Sequence, residues 1–171
     1  QQSTINNQES QLTPRRAFSA AWLDGKVYAT GGWNGQATQL NVVEALDPAT
    51  MRWQAAPALI MARSQHTVVS ADNALWVVGG WSATGGLMRE VERLQSGDSQ
   101  WRVATRLPTP RREPGVTLLG RRIIVAGGFN GSSDADFDGY SSIVEAYDLD
   151  TRRWSTLAPL QTPRRGLVLV A

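Results

Sequence analysis

A Gly-Gly pair recurs at residues 31–32, 79–80 and 127–128, so that 48 residues separate each pair from the next. Other residue types keep the same interval. Arg15, Arg63 and Arg111 each lie 16 residues before a pair, and Arg164 opens a further copy. Glu44, Glu92 and Glu145 each precede a tryptophan (Trp53, Trp101, Trp154) by nine residues. Neither a helical nor a strand period generates four residue types in register, so the chain is a structural unit copied three times. Such a unit cannot cover its own apolar faces and depends on stacked neighbours for stability.

Composition narrows the functional classes. The net charge is +2, Lys26 is the only lysine, and the arginines fall in doublets (15–16, 111–112, 121–122, 152–153, 164–165) interleaved with acidic residues. A nucleic-acid partner would call for a gathered basic patch, so none is expected. No apolar run approaches the roughly 18 residues needed to span a bilayer, and no membrane partner is expected either. The absence of cysteine excludes disulfides and thiolate chemistry but leaves the compartment open. The sequence starts at Gln1 without a methionine, consistent with a removed signal peptide or with a cut from a longer protein.

Each copy reads as four short strands. The first follows the arginine (residues 17–23, 65–70 and 115–119) and ends at a turn such as Asp24-Gly25 or Asp72-Asn73. The second is continuously apolar (27–30, 75–78, 123–126) and stops at the double glycine, which predicts cover on both faces. The third carries the glutamate (42–46, 90–94, 143–147), and the fourth carries the tryptophan. Residues without a Cβ at the end of the second strand suit positive φ and close approach of another backbone. A phosphate cradle would need a helix directly downstream, and no helical period follows Gly32, Gly80 or Gly128.

These elements together resemble the kelch repeat: arginine, apolar strand, Gly-Gly, aromatic, a Val-Glu-x-Tyr-Asp strand and tryptophan. Val144-Glu145-Ala146-Tyr147-Asp148 is the closest rendering, Val43-Glu44-Ala45-Leu46-Asp47 is near it, and Val91-Glu92-Arg93-Leu94-Gln95 departs at the last position. The resemblance implies an all-β fold, a β-propeller of four-stranded antiparallel kelch blades. It is incomplete, with three full blades plus partial strands, because propellers close with about four to eight blades. Residues 14–61, 62–109 and 110–162 are the three repeats. Residues 1–13, with Ile5 where the repeat would place a tryptophan, read as the last strand of a preceding blade or a flexible tail, and 163–171 as the first strand of a further one. The remaining blades would come from a longer chain or from a second copy.

The repeated arginine and glutamate read as blade-stabilising partners, and the repeated tryptophans as packing between blades. His66, the only histidine, reads as a hydrogen-bonded structural residue. By resemblance, the loops after each double glycine line the channel mouth. Trp33, Asn34, Trp81, Ser82, Phe129 and Asn130 are therefore candidates for binding a protein or peptide, or a carbohydrate ring. The residues just after the repeated arginine add Arg16, Gln65, Arg112 and Glu113. The third copy also carries five extra residues with a D-x-D-x-D-G run. Asp134, Asp136 and Asp138 could curl around calcium, with Glu145 at the twelfth position of such a loop, or form a solvated acidic loop.

The favoured function is a non-catalytic recognition module. The alternative is an enzyme resembling kelch-type sugar-acid epimerases or mutarotases, with Glu113 and Arg112 doing acid–base work. One histidine and no cysteine argue against an oxidase resembling galactose oxidase.

Overall fold

In the computed structural model, which describes residues 11–36, 38–131 and 139–171, the described residues form strands and loops without an α-helix. The first sheet runs β1 (Ser19–Leu23), β2 (Lys26–Thr30), β3 (Val43–Asp47), β4 (Arg52–Ala56). The second is built from β5 (Thr67–Ala71), β6 (Ala74–Val78), β9 (Glu90–Gln95) and β10 (Arg102–Arg106). Its loop adds a small hairpin, β7 (Trp81–Ser82) with β8 (Gly86–Leu87). The third comprises β11 (Gly115–Leu119), β12 (Arg122–Ala126), β13 (Val144–Asp148) and β14 (Arg153–Leu157). Every pairing is antiparallel, and each of the three sheets is one copy of the repeat. The fold is thus the all-β, incomplete propeller of four-stranded blades.

The turns between first and second strands have two residues. Asp24 and Gly25 (φ 48° and 76°) and Asp72 and Asn73 (φ 53° and 54°) both take the left-handed conformation that matches strand twist in a tight hairpin. The first strands β1, β5 and β11 lie side by side, which places them innermost.

Between blades one and two, Leu23, Val43 and Leu59 meet Val68, Leu75, Val77, Leu94 and Trp101. Between blades two and three, Ala71, Trp76, Val78, Val91 and Leu107 meet Val116, Ile123, Val125, Tyr147 and Trp154. Each interblade tryptophan also donates its indole N–H to the preceding blade: Trp101 to the Pro57 carbonyl at 2.7 Å and Trp154 to Thr105 Oγ1 at 3.0 Å. Cover on both faces of the second strand holds fully only for β6, all five of whose residues are buried, because among the described residues only the middle blade has a blade on each side.

Residues 165–171 pair with no strand among the described residues, although Leu167 and Leu169 pack near Gly115 while Val168 and Val170 are exposed. A first strand hydrogen-bonds to the second strand of its own copy, and residues 163–171 contain no such strand. Ile5 lies outside the described residues.

Candidate functional site

The repeated arginines are blade clamps. Arg63 is fully buried and donates through Nη1 to the carbonyls of Gly79 (3.1 Å) and Glu90 (2.9 Å), at the ends of β6 and β9. Its Nη2 meets Glu92 Oε1 at 2.6 Å, and Glu92 in turn accepts from the backbone N–H groups of Ile60 and Met61. Arg15–Glu44 and Arg111–Glu145 repeat the arrangement. Burial pulls all three arginines below the usual guanidinium range, opposed by the paired glutamates. Glu145 is committed on both oxygens, to Arg111 and to Thr109 Oγ1. Asp134, Asp136 and Asp138 lie outside the described residues.

The double glycine closes the joint to the next blade. The second glycine donates its N–H to the next copy's arginine carbonyl: Gly32 to Arg63 at 2.8 Å, Gly80 to Arg111 at 2.9 Å and Gly128 to Arg164 at 2.8 Å. At Gly79, φ is 69° and an added Cβ would sit 2.5 Å from the Arg111 carbonyl oxygen, so conformation and contact both require glycine.

His66 fills the space beside this joint and is 5 % exposed. Thr30 Oγ1 donates to the Ser19 carbonyl (3.1 Å), so at its 2.8 Å contact with His66 Nε2 it accepts. Burial first, then the nearby Arg63 charge, push the His66 pKa down to about 3, so the ring stays neutral.

At the same edge, the residues two places after the arginine form a chain of backbone hydrogen bonds from blade to blade. Gln65 N–H donates to Ala17 (2.8 Å), Glu113 to Gln65 (2.7 Å) and Gly166 to Glu113 (3.0 Å). Ala17, Gln65 and Glu113 hold φ of 53°, 56° and 52°, a conformation that costs a side-chain-bearing residue on the order of 1 kcal/mol. Gln65 Nε2 donates to Glu113 Oε1 at 2.7 Å, and Arg165 Nε lies 3.5 Å from Glu113 Oε2. These groups border a cavity of about 260 Å³ shared with Phe18, His66 and Leu167.

The residue directly after each repeated arginine bridges by backbone to the aromatic after the double glycine: Arg16 with Trp33, Ser64 with Trp81 and Arg112 with Phe129. Side chains then stack guanidinium on ring. Arg16 lies 4.1 Å from the Trp33 centroid, in a separate open pocket with Pro14 and Asn34. Arg112 lies 5.5 Å from Trp81 and 4.7 Å from Phe129, and Arg165 lies 5.0 Å from Phe129 and 5.4 Å from Tyr140. The order Trp81, Arg112, Phe129, Arg165, Tyr140 is a continuous ladder of alternating rings and cations.

The structure thus joins Trp81, Phe129, Arg112, Gln65 and Glu113 along one edge and holds Arg16 with Trp33 apart. Phe129 is fully buried within the ladder, Ser82 is 7 % exposed, Asn34 Oδ1 accepts from the Gln36 N–H, and the Asn130 backbone N–H donates to the Gly139 carbonyl. Sequence reasoning did not select Arg165 or Tyr140. Arg165 is legible in register, standing after Arg164 as Arg16 and Arg112 stand after theirs; Tyr140 is hidden by the five-residue insertion.

Radial blades, an arginine–glutamate clamp in each and a double-glycine joint between them define a kelch-type propeller. The sequence matches the family model described as the KLHDC2/KLHL20/DRC7 Kelch-repeats domain over residues 3–171, and the chain belongs to that family. No curated protein sequence matches. Among solved structures the chain is similar to one titled "Structure of YjhT", with a TM-score of 0.75 and 18 % identity over 89 % of this chain. It spans 54 % of that structure's chain.

Proposed function

We propose that this chain is a protein-recognition module whose double-glycine edge takes up a segment of a partner protein. Kelch-repeat domains generally bind proteins, and one observation carries the reading to this edge. The guanidinium and aromatic ladder runs beside the Gln65–Glu113 pair, and that pair stands on left-handed backbone where glycine alone would be unstrained. Flat rings beside charged groups suit a peptide that offers both backbone polar groups and side chains, and the same faces suit a carbohydrate ring. The outer apolar faces of the first and third blades would be covered by further blades, from a longer chain or a second copy.

Pull-down with the wild-type protein, Arg165→Ala and Glu113→Gln tests the reading. Capture of a partner should weaken in both variants with unfolding temperature unchanged. Capture that neither substitution affects would place recognition elsewhere.

A second reading, acid–base chemistry on a sugar acid, is favoured by the placement of Glu113 at the cavity of about 260 Å³. It ranks lower because both Glu113 oxygens are already engaged, by Gln65 and by Arg165. Screening sugar acids for anomer interconversion tests it directly.

A further inference from the structure

A second cavity, of about 280 Å³, opens between blades two and three at the end of the strands opposite the double glycines. Arg93, Arg102 and Arg152 line it, with Asp72, Asp98 and Tyr147. These arginines break the repeat. The positions matching Arg93 are Ala45 and Ala146, those matching Arg102 are Gln54 and Ser155, and those matching Arg152 are Met51 and Ser99.

The break runs against sheet energetics. Arg93 and Arg102 are directly opposite on β9 and β10, where the other copies pair Ala45 with Gln54 and Ala146 with Ser155. Like charges facing each other across a ladder are destabilising, so the isolated blade gains nothing from this pair. Arg93 is held over Trp76, 5.3 Å from the ring centroid, and donates to Gln95 Oε1, but its buried Nε has no acceptor among the described residues. Arg102 is 80 % exposed and reaches Asp98 only at 4.0 Å. Arg152 comes from the facing blade and has no carboxylate partner among the described residues. Asp72, the other acid, is already engaged by Arg121 at 2.9 Å.

We propose that this cavity binds a small phosphomonoester, its phosphate among Arg93, Arg102 and Arg152 and its remaining atoms toward Tyr147 and the exposed Val103. Three guanidinium groups match an oxyanion with three free oxygens better than a carboxylate with two. The Arg93–Arg102 repulsion then becomes shared attraction to one ligand, and the buried Arg93 Nε gains an acceptor. The site is separate from the double-glycine edge, and no element of the recognition reading enters it.

Calorimetric titration at low ionic strength, with inorganic phosphate and with phenyl phosphate, tests the proposal. The wild-type protein should bind both saturably at one site. Arg102→Gln and Arg152→Ser, which install the residues of other copies, should each weaken binding about tenfold with unfolding temperature unchanged. Arg16→Ala, at the opposite edge, should leave it unaltered. Absence of saturable heat would overturn the site. Binding untouched by Arg102→Gln and Arg152→Ser, or equally lost in Arg16→Ala, would show the anion bound elsewhere. Binding of phosphate without phenyl phosphate would overturn the monoester assignment.

Discussion

Arg63 and Arg164 occupy the same place in the repeat and differ in surroundings. Arg63 is sealed against Glu92, whereas Arg164 is exposed and its guanidinium donates only to the Thr162 carbonyl, at 3.3 Å, among the described residues. Removing one partner of a buried pair strands the other charge, so Arg63→Ala should cost about 3–5 kcal/mol. Arg164→Ala should stay within about 0.5 kcal/mol. Chemical denaturation checks both, and equal losses would contradict the clamp. His66 gives a pH dependence of known sign. Its pKa falls from 6.5 to about 3 on folding, so the unfolded chain binds the extra proton between those values. Stability from this group is complete above pH 6.5 and declines as the pH falls toward 3, by up to about 1.4 kcal/mol per pH unit. His66→Gln should flatten the denaturation midpoint across that window relative to wild type; an unchanged slope would mean the ring is not buried neutral. The pairing of arginine with glutamate was legible in their common period. The left-handed Gln65 and Glu113 were not, because nothing in either side chain signals that conformation.

At the scale of elements, the limits read for the first three strands of each full copy agree with the observed ones to within two residues, since turn residues and β-branched runs mark them locally, whereas the strand read at 163–171 is not formed. The exceptions are contextual. The β7–β8 hairpin forms in the loop after Gly80, where Trp81 pairs with Leu87 and Ser82 with Gly86. In the other copies, among the described residues, the aromatic meets the far side of its loop through an isolated bridge, Trp33 with Gln39 and Phe129 with Tyr140. The joint between blades makes a sharper prediction. Gly79 and Gly97 both hold positive φ, 69° and 83°, but an added Cβ meets the Arg111 carbonyl at Gly79 and open space at Gly97. Gly97→Ala should cost about 1–2 kcal/mol for conformation alone. Gly79→Ala should cost a further 1–3 kcal/mol or so, because backbone must move. Urea denaturation of the two variants separates the effects, and equal costs would mean the blades are not in contact at this joint.

Across the whole molecule the same surface is a core in one place and exposed in another. Leu23 and Ala71 are 6 % and 3 % exposed, yet Leu119, the matching residue of the third blade, is 61 % exposed. On the opposite flank, Trp101 is buried against the preceding blade while Trp53 is only half-buried. The repeat period made this stacking legible. The groove of Arg93, Arg102 and Arg152 was not, because it depends on which faces meet across a blade boundary rather than on spacing along the chain. If stability resides in contacts between blades, protection must follow position in the stack and not the quality of any one sheet. Native-state hydrogen exchange resolved by residue measures this directly. The account predicts that β6 amides exchange most slowly and those of the matching strands β2 and β12 faster; equal or greater protection in β2 or β12 would contradict it.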